Sequence, residues 1–313
     1  MSLRPAIAVL PTAGGPWAEA AVAAVVAGGG VVVDPPEAEA LVWTETRMDP
    51  AVAVRLAAIL RRNPGIRWVQ LPWAGVEQYA ALNVFDHHHL WTSAKGLYAR
   101  PVAEHALTLT LAGLRHVKGY SRAERWSAQA GRTLFDGHVT IFGGGGIAQD
   151  LVRLLAPFCC QVTVVRKRPD PMEGAQVLGW DLREQALPGA DAVILALALT
   201  DENTHFFRRR QFEAMEAHAC LVNVARGRHI VTDDLVAALQ SGQIGAAGLD
   251  VTDPEPLPEG HPLWALDNCL ITPHTANTQA MAIPVLSGRI AANVRRFAAG
   301  EPLLGLVDPD LGY

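Results

Sequence analysis

The residues with the clearest chemical potential follow apolar runs in the second half of the chain. Arg226, Glu255 and His274 each come after such a run, and Asp250 lies between the first two. A guanidinium can bind and polarise an anion, an imidazole can transfer a proton, and a carboxylate can orient the imidazole. Taken singly, these residues could be a surface charge, a solvated loop acid and a structural histidine. Their succession favours a catalytic group, because the carboxyl ends of parallel strands meet at one edge of a sheet.

A glycine-rich turn precedes these residues and is typical of dinucleotide binding. A strand-like run, residues 138–142, leads directly into the turn, and an amphipathic stretch follows it. Three positions match the pattern G-x-G-x-x-G/A, namely Gly143, Gly145 and Ala148. We expect a pyrophosphate at the positive end of the following helix, beside Gly146 and Ile147. A flexible turn is the alternative for four consecutive glycines, but the flanking strand and helix favour dinucleotide binding.

The end of the next predicted strand is basic. The run 161–165 ends in Arg166, Lys167 and Arg168, where an NAD-selective site usually carries Asp or Glu for the ribose 2′-hydroxyl. Arg166 or Arg168 could instead hold a 2′-phosphate by charge-assisted hydrogen bonds. A solvated basic loop is the alternative. Because the acidic residue is absent and basic residues are present, the sequence predicts NADP(H) as the preferred cofactor over NAD(H).

Short apolar runs alternate with longer amphipathic stretches along the 313-residue chain. This alternation predicts βα units, parallel sheets and, at this length, two domains. The predicted strands are the runs 6–10, 31–33, 41–43, 66–71, 139–142, 161–165, 192–199, 220–225, 246–251 and 269–272. A mostly apolar helix is predicted over 101–118, and another is predicted to be capped by Thr232 and to end before Gly242. The polar stretch 119–137 is predicted to leave the core.

Together these motifs resemble the D-isomer-specific 2-hydroxyacid dehydrogenase family, which includes glyoxylate and hydroxypyruvate reductases. Four motifs follow one another in the family's order, at 139–148, 223–227, 249–256 and 272–276. By this resemblance Arg226 binds and polarises the substrate, Glu255 pairs with the histidine, and His274 donates the proton. The resemblance also implies that Ala225 and Asp250 lie beside the cofactor, with Asp250 near its nicotinamide ring.

The resemblance extends, less specifically, to the first hundred residues. In the family, an Ala-Gly-Val turn offers backbone N–H groups to the substrate carboxylate, and the matching residues are Ala74, Gly75 and Val76. The implied fold is α/β, with two Rossmann-like or flavodoxin-like domains, parallel sheets, a cleft between the domains and two linking helices. The dinucleotide-binding domain would span 101–283. The substrate-binding domain would be discontinuous, combining 1–100 with 284–313, and a second crossing helix would cover 277–299.

The implied activity is NAD(P)H-dependent reduction of a small 2-oxo acid, such as glyoxylate or hydroxypyruvate, to the D-2-hydroxy acid. Trp126 and the stretch 119–137 resemble the family's dimer arm, so a homodimer through 101–137 is expected; a long loop is the alternative. A nucleotide-sensing corepressor or scaffold of the same fold is the alternative function. A formate-type dehydrogenase is less favoured, because Glu255 is acidic and the cofactor site is basic.

Composition and charge argue against other classes of protein. A formal net charge of −5 does not favour nucleic acid or a membrane surface as a partner. The first apolar run is too short to span a membrane and no signal peptide precedes it, so a cytoplasmic location is expected. No metal is expected at the consecutive histidines 87–89, because their side chains diverge. The cysteines, Cys159, Cys160, Cys220 and Cys269, are expected to be buried reduced thiols.

Overall fold

Two compact α/β units make up the chain. The protein is described by a computed structural model, which covers residues 4–11, 15–47 and 49–310. One unit comprises Met1–Tyr98 with Thr278–Tyr313, and the other comprises Ala99–Asn277. One unit contains a parallel sheet of five strands and the other a parallel sheet of seven, which confirms the predicted fold class. The functional assignment of the two domains stays a prediction.

The regular elements follow one another in chain order as strands and helices. The strands are β1 (Ala6–Leu10), β2 (Val31–Val32), β3 (Ala40–Trp43), β4 (Trp68–Gln70), β5 (Leu90–Thr92), β6 (His138–Phe142), β7 (Gln161–Arg166), β8 (Gln176–Gly179), β9 (Ala192–Leu195), β10 (Cys220–Asn223), β11 (Ala246–Leu249) and β12 (Cys269–Ile271). The α-helices are α1 (Pro16–Ala27), α2 (Pro50–Arg62), α3 (Glu77–Ala80), α4 (Ala99–Leu114), α5 (Val117–Ser121), α6 (Gly146–Leu155), α7 (Arg209–Glu213), α8 (Thr232–Ser241), α9 (Pro262–Ala265) and α10 (Gln279–Ala299).

The five-stranded sheet has the order β2-β1-β3-β4-β5 and is covered on both faces. Alternate residues of β1 and β3 pack against α1 and α10 on one face and against α2 on the other, which is why these strands read as continuous apolar runs. Gly28 allows α1 and α10 to approach closely, since a Cβ there would lie 2.6 Å from the Cβ of Val294. Beyond α10 the chain pairs with the end of β5, where the Ser93 N–H donates to the Gly305 carbonyl at 2.8 Å.

The seven-stranded sheet has the order β12-β11-β10-β9-β6-β7-β8, and all of its pairs are parallel. Residues of α4 and α6 fill the core on one face, and residues of α7, α8 and α9 fill it on the other. The chain proceeds from β6 outwards to β7 and β8, then returns to place β9 on the other side of β6. Ligands of doubly wound sheets bind at such a switch point, beyond the carboxyl ends of the strands.

The ten predicted strands correspond to strands of the structure, and two further strands escaped prediction. β5 is short, and β8 is a partly exposed edge strand without a continuous apolar run. The helix predicted over 101–118 ends at Leu114, because His116 has a left-handed φ of 53° and α5 begins after it. The predicted cap at Thr232 is wrong. Val231 is the N-cap of α8, and the Thr232 hydroxyl donates to the Asp253 carbonyl at 2.6 Å.

Burial of the cysteines follows the prediction in part. Cys220 and Cys269 are buried, and their burial raises the pKa of both thiols to about 12. Cys159 is exposed, so the prediction is wrong for this residue, and Cys160 is half-buried. Within the described ranges, no helix combines the length and apolar character that crossing a membrane requires.

Candidate active site

The turn after β6 has the geometry that a dinucleotide pyrophosphate requires. Gly143 has a φ of 112°, and a Cβ there would lie 2.2 Å from the carbonyl oxygen of Ala196. Only glycine fits this position, because the backbone here is left-handed and the neighbouring backbone atom cannot move aside for a side chain. Gly145 is exposed, and a Cβ there would meet nothing within 4 Å. The backbone is therefore open to a ligand at this point of the turn.

Helix α6 begins directly at the turn, with Gly146 and Ile147 as its first residues. The first N–H groups of a helix have no intrahelical acceptor and carry partial positive charge. Ala148 is fully buried, so the third small residue of the motif lets the helix pack closely on the sheet. The start of α6 thus offers free donors to an anion, which is how such turns hold phosphate groups.

Arg166, at the end of β7, lies across the glycine turn. A Cβ at Gly144 would lie 2.6 Å from Cδ of Arg166 and 2.7 Å from its Nε, so the arginine side chain occupies the space above this glycine. Its Nη2 lies 3.6 Å from a carboxylate oxygen of Asp170, and a quarter of the side chain is exposed. A guanidinium held here could contact a dinucleotide that binds at the glycine turn.

The two basic residues after Arg166 are placed differently. Lys167 donates from Nζ to Oε2 of Glu202 at 3.3 Å, so its charge is paired on the surface. Arg168 is exposed. Of the three basic residues predicted to hold the cofactor, Arg166 is therefore the one that the fold brings to the glycine turn.

Arg226 is carried by a turn that a buried amide holds. The Nδ2 of Asn223 donates to the carbonyl of Arg226 at 2.9 Å, and its Oδ1 accepts from the N–H of Ala225 at 3.0 Å. Asn223 is completely buried and Ala225 nearly so. The Nη1 of Arg226 donates to the Ala225 carbonyl at 2.8 Å. The amide of Asn223 therefore fixes the backbone on both sides of the predicted substrate-binding arginine.

Asp250 is buried and anchors the segment that carries His274. Its carboxylate accepts from the Thr272 hydroxyl at 2.6 Å and from the N–H groups of Thr275 and Ala276 at 2.8 and 3.0 Å. Burial would raise the pKa of Asp250, but hydrogen bonds from His105, Thr272 and the two N–H groups outweigh it and lower the pKa below its usual value. The predicted cofactor contact at Asp250 is untested; its observed contacts are structural.

His274 and Glu255 form the hydrogen-bonded pair that the sequence predicted. The Nδ1 of His274 lies 2.7 Å from Oε1 of Glu255, and each side chain is a little under half exposed. A carboxylate can only accept, so Nδ1 carries the hydrogen and donates it. Among the described residues, no hydrogen-bond partner is found for Nε2 of His274. His274 has a left-handed φ of 49°, and its N–H donates to the Asp250 carbonyl at 2.8 Å.

Three adjacent strands bring these residues to one edge of the sheet. Asn223 of β10 is level with Leu249 of β11, which is level with Ile271 of β12. Arg226, Asp250 and His274 follow these strand ends within three residues. The register of the parallel strands therefore places Arg226, Asp250 and His274, which are far apart in the sequence, just beyond the same edge of the sheet.

Gly227, next to Arg226, packs directly against the backbone of the segment that leads to Glu255. A Cβ at this buried glycine would lie 1.9 Å from the carbonyl oxygen of Thr252, a backbone atom that cannot turn away. We expect Gly227→Ala to lower the free energy of unfolding by about 1–3 kcal/mol, the usual effect of overpacking. Urea unfolding measures the change. Gly179→Ala is the control, because a Cβ there meets nothing within 4 Å, and equal stabilities of the two variants would contradict this account.

The predicted substrate turn, Ala74, Gly75 and Val76, lies in the other unit, after β4. Trp73 braces it by donating from Nε1 to the Thr46 carbonyl at 2.9 Å and by packing edge-on against Trp17 with ring centroids 5.3 Å apart. Among the described residues, no acceptor is found for the three backbone N–H groups of the turn. These donors are suited to a carboxylate, and their role stays a prediction.

The consecutive histidines are accounted for by other contacts. His89 is buried, with Nδ1 2.7 Å from Oδ1 of Asp86, and His87 lies 3.2 Å from a carboxylate oxygen of Asp310. In the part of the chain that the structure describes, no group of three or more His, Cys, Asp or Glu side chains is arranged to hold a metal ion.

Three residues that form hydrogen bonds in this site were not assigned a role from the sequence. Asn223 interrupts the predicted run 220–225 and Thr272 ends the run 269–272, so each shows only as a polar residue in an apolar run. His105 was read as part of the periodic face of a helix, but its Nε2 lies 2.9 Å from the Thr272 hydroxyl. The fold was needed to show this contact, since the two residues are 167 positions apart.

The seven-stranded sheet, with its glycine turn at the switch point, defines a dinucleotide-dependent α/β protein. Residues 106–276, more than half of the chain, match the family described as "D-isomer specific 2-hydroxyacid dehydrogenase, NAD binding domain". The chain belongs to this family. It is an NAD(P)-dependent oxidoreductase that acts on the CH–OH group of a 2-hydroxy acid or reduces the corresponding 2-oxo acid.

Named relatives and solved structures agree with this membership. The chain is 40% identical over 256 residues to an uncharacterized protein in the proB 3′ region of Corynebacterium melassecola, covering 79% of this chain and 84% of the relative. It is 33% identical over 220 residues to glyoxylate/hydroxypyruvate reductase A of Serratia proteamaculans, covering 69% of each. A D-isomer specific 2-hydroxyacid dehydrogenase of Xanthobacter autotrophicus Py2, solved with NADPH and MES, is similar with a TM-score of 0.81 and 28% identity, covering 99% of this chain and 100% of that chain.

Proposed function

We propose that this enzyme reduces a small 2-oxo acid of the glyoxylate and hydroxypyruvate type to the D-2-hydroxy acid, with NADPH as its preferred reductant. The observation that carries the proposal is the hydrogen bond between His274 and Glu255, which leaves Nε2 of the imidazole available to a substrate. Relatives named glyoxylate/hydroxypyruvate reductase, from Serratia proteamaculans and from human, support this choice of substrate.

Reduction of the carbonyl group needs one hydride and one proton. The nicotinamide cofactor supplies the hydride to the carbonyl carbon. His274 donates the proton from Nε2 to the carbonyl oxygen as the π electrons of the C=O bond move onto that oxygen. Glu255 accepts the hydrogen of Nδ1, which fixes the orientation of the ring and leaves Nε2 for the substrate. The product is the hydroxy acid, and the histidine is left neutral until solvent reprotonates it.

The remaining groups hold the substrate in place for this transfer. Arg226 provides a fixed positive charge for the carboxylate and for the oxygen that gains negative charge during reduction. By the family resemblance, the N–H groups of Ala74, Gly75 and Val76 are assigned as further donors for the carboxylate. Asn223 supports this role, because its two hydrogen bonds keep the Arg226 turn rigid and preorganised donors require no rearrangement during the reaction.

The preference for NADPH rests on Arg166. Its guanidinium lies over the glycine turn, where an acidic residue would be expected in an NAD-selective site. A 2′-phosphate beside it would accept charge-assisted hydrogen bonds, and the exposed Arg168 adds attraction. The cofactor-binding roles of Gly143, Gly145, Gly146, Ile147, Ala225 and Asp250 belong to the same proposal.

A homodimer through 101–137 is part of this proposal. Trp126 is 97% exposed and Phe135 57%, and both lie in an irregular segment that follows α5. Large exposed apolar side chains in one segment are typical of an interaction surface. The Tyr120 hydroxyl, which accepts from the Ala130 N–H at 2.6 Å, holds the segment against α5 and gives it a defined shape. The cytoplasmic location stays a prediction.

Initial rates with the purified protein test the proposed function. We expect NADPH to be oxidised with glyoxylate and hydroxypyruvate at turnover numbers of about 1–10³ s⁻¹, the common range for enzymes. Chiral chromatography should identify D-glycerate as the product from hydroxypyruvate. Tight NADPH binding without turnover of any 2-oxo acid would contradict the proposal and favour a nucleotide-sensing corepressor or scaffold. Oxidation of formate in its place would indicate a formate-type dehydrogenase.

A further inference from the structure

Asp250 accepts hydrogen bonds from three consecutive residues of the segment that carries His274. The N–H groups of Thr275 and Ala276 donate to its carboxylate at 2.8 and 3.0 Å. The His274 N–H lies 2.8 Å from the Asp250 carbonyl and 3.0 Å from the Thr272 carbonyl, so it is shared between them. The segment needs such support, because His274 has a left-handed φ of 49°, which a residue with a side chain rarely adopts without constraint.

Thr272 connects this anchor to a helix on the face of the sheet. Its hydroxyl donates to Oδ1 of Asp250 at 2.6 Å, since a carboxylate can only accept. The same oxygen lies 2.9 Å from Nε2 of His105 in α4, so the threonine accepts the hydrogen that His105 donates. His105 is also 3.4 Å from Oδ1 of Asp250. The hydrogen bonds His105–Thr272–Asp250 therefore join α4 to the residues that directly follow β12 and β11.

We propose that Thr272 is a positioning residue for proton transfer by His274, with His105 as its support on α4. Thr272 acts through Asp250: its hydroxyl holds the carboxylate in the orientation that receives the N–H groups of residues 275 and 276. That orientation in turn sets the backbone of His274 and the direction of its imidazole. This inference rests on the proposed function and adds residues to it that touch neither the substrate nor the cofactor.

Two substitutions of Thr272 separate the contribution of its hydroxyl from the contribution of its side-chain shape. Thr272→Val keeps the volume and removes the donor, whereas Thr272→Ser keeps the hydroxyl and removes a methyl group. We expect Thr272→Val to lower kcat roughly 10- to 100-fold, because small misplacements of a catalytic group have effects of this size. The KM for the 2-oxo acid should stay near its wild-type value, because the turn that carries Arg226 is untouched, and Thr272→Ser should retain most of the activity.

His105→Phe should also lower kcat, but by a smaller factor than Thr272→Val, because the Thr272 hydroxyl still reaches Asp250 in that variant. An unchanged kcat in Thr272→Val would overturn the positioning role, and so would a Thr272→Ser enzyme as slow as Thr272→Val. A raised KM for the 2-oxo acid in place of a lower kcat would overturn it as well, since it would assign the hydroxyl to substrate binding. If Thr272→Val does not fold, Thr272→Ser and His105→Phe test the inference in its place. Full activity in His105→Phe together with loss of activity in Thr272→Ser would then contradict the hydrogen-bonded series His105–Thr272–Asp250.

A second measurement separates this inference from the proposed function. Nitrogen NMR of labelled imidazoles reports the Nδ1–H bond from His274 to Glu255 without any turnover. We expect this signal to shift in Thr272→Val and to return in Thr272→Ser. Absence of activity in the wild type would contradict the proposed function alone, whereas an unchanged imidazole signal in Thr272→Val would overturn the positioning role in either case.

Discussion

An enzyme with His274→Ala is expected to lose at least about 10²-fold in kcat, the usual effect of removing a general acid. The imidazole has a carboxylate partner on Nδ1, and its Nε2 is the atom proposed to donate the proton. The Kd for NADPH should change little, because the glycine turn and Arg166 remain intact. Steady-state rates with hydroxypyruvate, combined with a fluorescence titration of NADPH, measure both quantities.

His88→Ala is the matched control for this variant, since His88 is an exposed histidine far from the strand ends in sequence. It should keep wild-type rates. Glu255→Gln retains an acceptor for Nδ1 but removes the charge, so we expect it to fall between the wild type and His274→Ala. Near-normal turnover in His274→Ala would refute the assignment of the proton donor, whatever the other variants do.

Exchange of Arg166, the last residue of β7, and of Arg168 is the second large expected effect. Arg166→Asp combined with Arg168→Ala should raise the KM for NADPH far more than the KM for NADH. The aspartate repels a 2′-phosphate but accepts a hydrogen bond from a free 2′-hydroxyl. A change of about tenfold or more in the ratio of kcat/KM values corresponds to the loss of one or two charge-assisted hydrogen bonds of roughly 1.5–3 kcal/mol each.

The control for this variant carries the same change in charge elsewhere on the domain. Arg209→Asp with Arg210→Ala alters two exposed arginines at α7 and should leave the ratio of the two cofactors unchanged. Gly144→Ala reaches the same guanidinium by a different route, because the added Cβ would displace Arg166 from the turn. Equal effects of the Arg166 and Arg168 exchange on NADPH and NADH would contradict the proposed preference.

Much of the fold was predictable because it depends on local patterns. Strands buried on both faces produce continuous apolar runs, so β1, β3, β6, β7 and β9–β12 could be recognised from the sequence. β8 escaped because an edge strand is covered incompletely and needs no such run. Thr232 was misplaced by one position because the residue types that cap helices are also common in their first turn.

The pairing of Glu255 with His274 was predictable only through the order of the motifs, and the residues behind the pair were not predictable at all. His105 has the spacing of a residue on a helix face, and nothing in that spacing indicates that it reaches Thr272. Asn223 is likewise a polar residue at a strand end, and its residue type does not indicate which backbone groups its amide binds. Contacts of this kind depend on which helix crosses which strand, and a local sequence pattern does not contain that information.

The sequence by itself determined the residue types and their order. It contains the glycines of a turn in which the backbone approaches a neighbour closely, and it makes the end of β7 basic. It also places Arg226, Glu255 and His274 after successive apolar runs. The tertiary structure alone decided how they meet. It made the ends of β10, β11 and β12 level, laid Arg166 across Gly144, and directed three backbone N–H groups to Asp250. The physical reason is that hydrogen bonds fix atoms within a few ångströms, whereas the register of the sheet sets which distant residues come within that range.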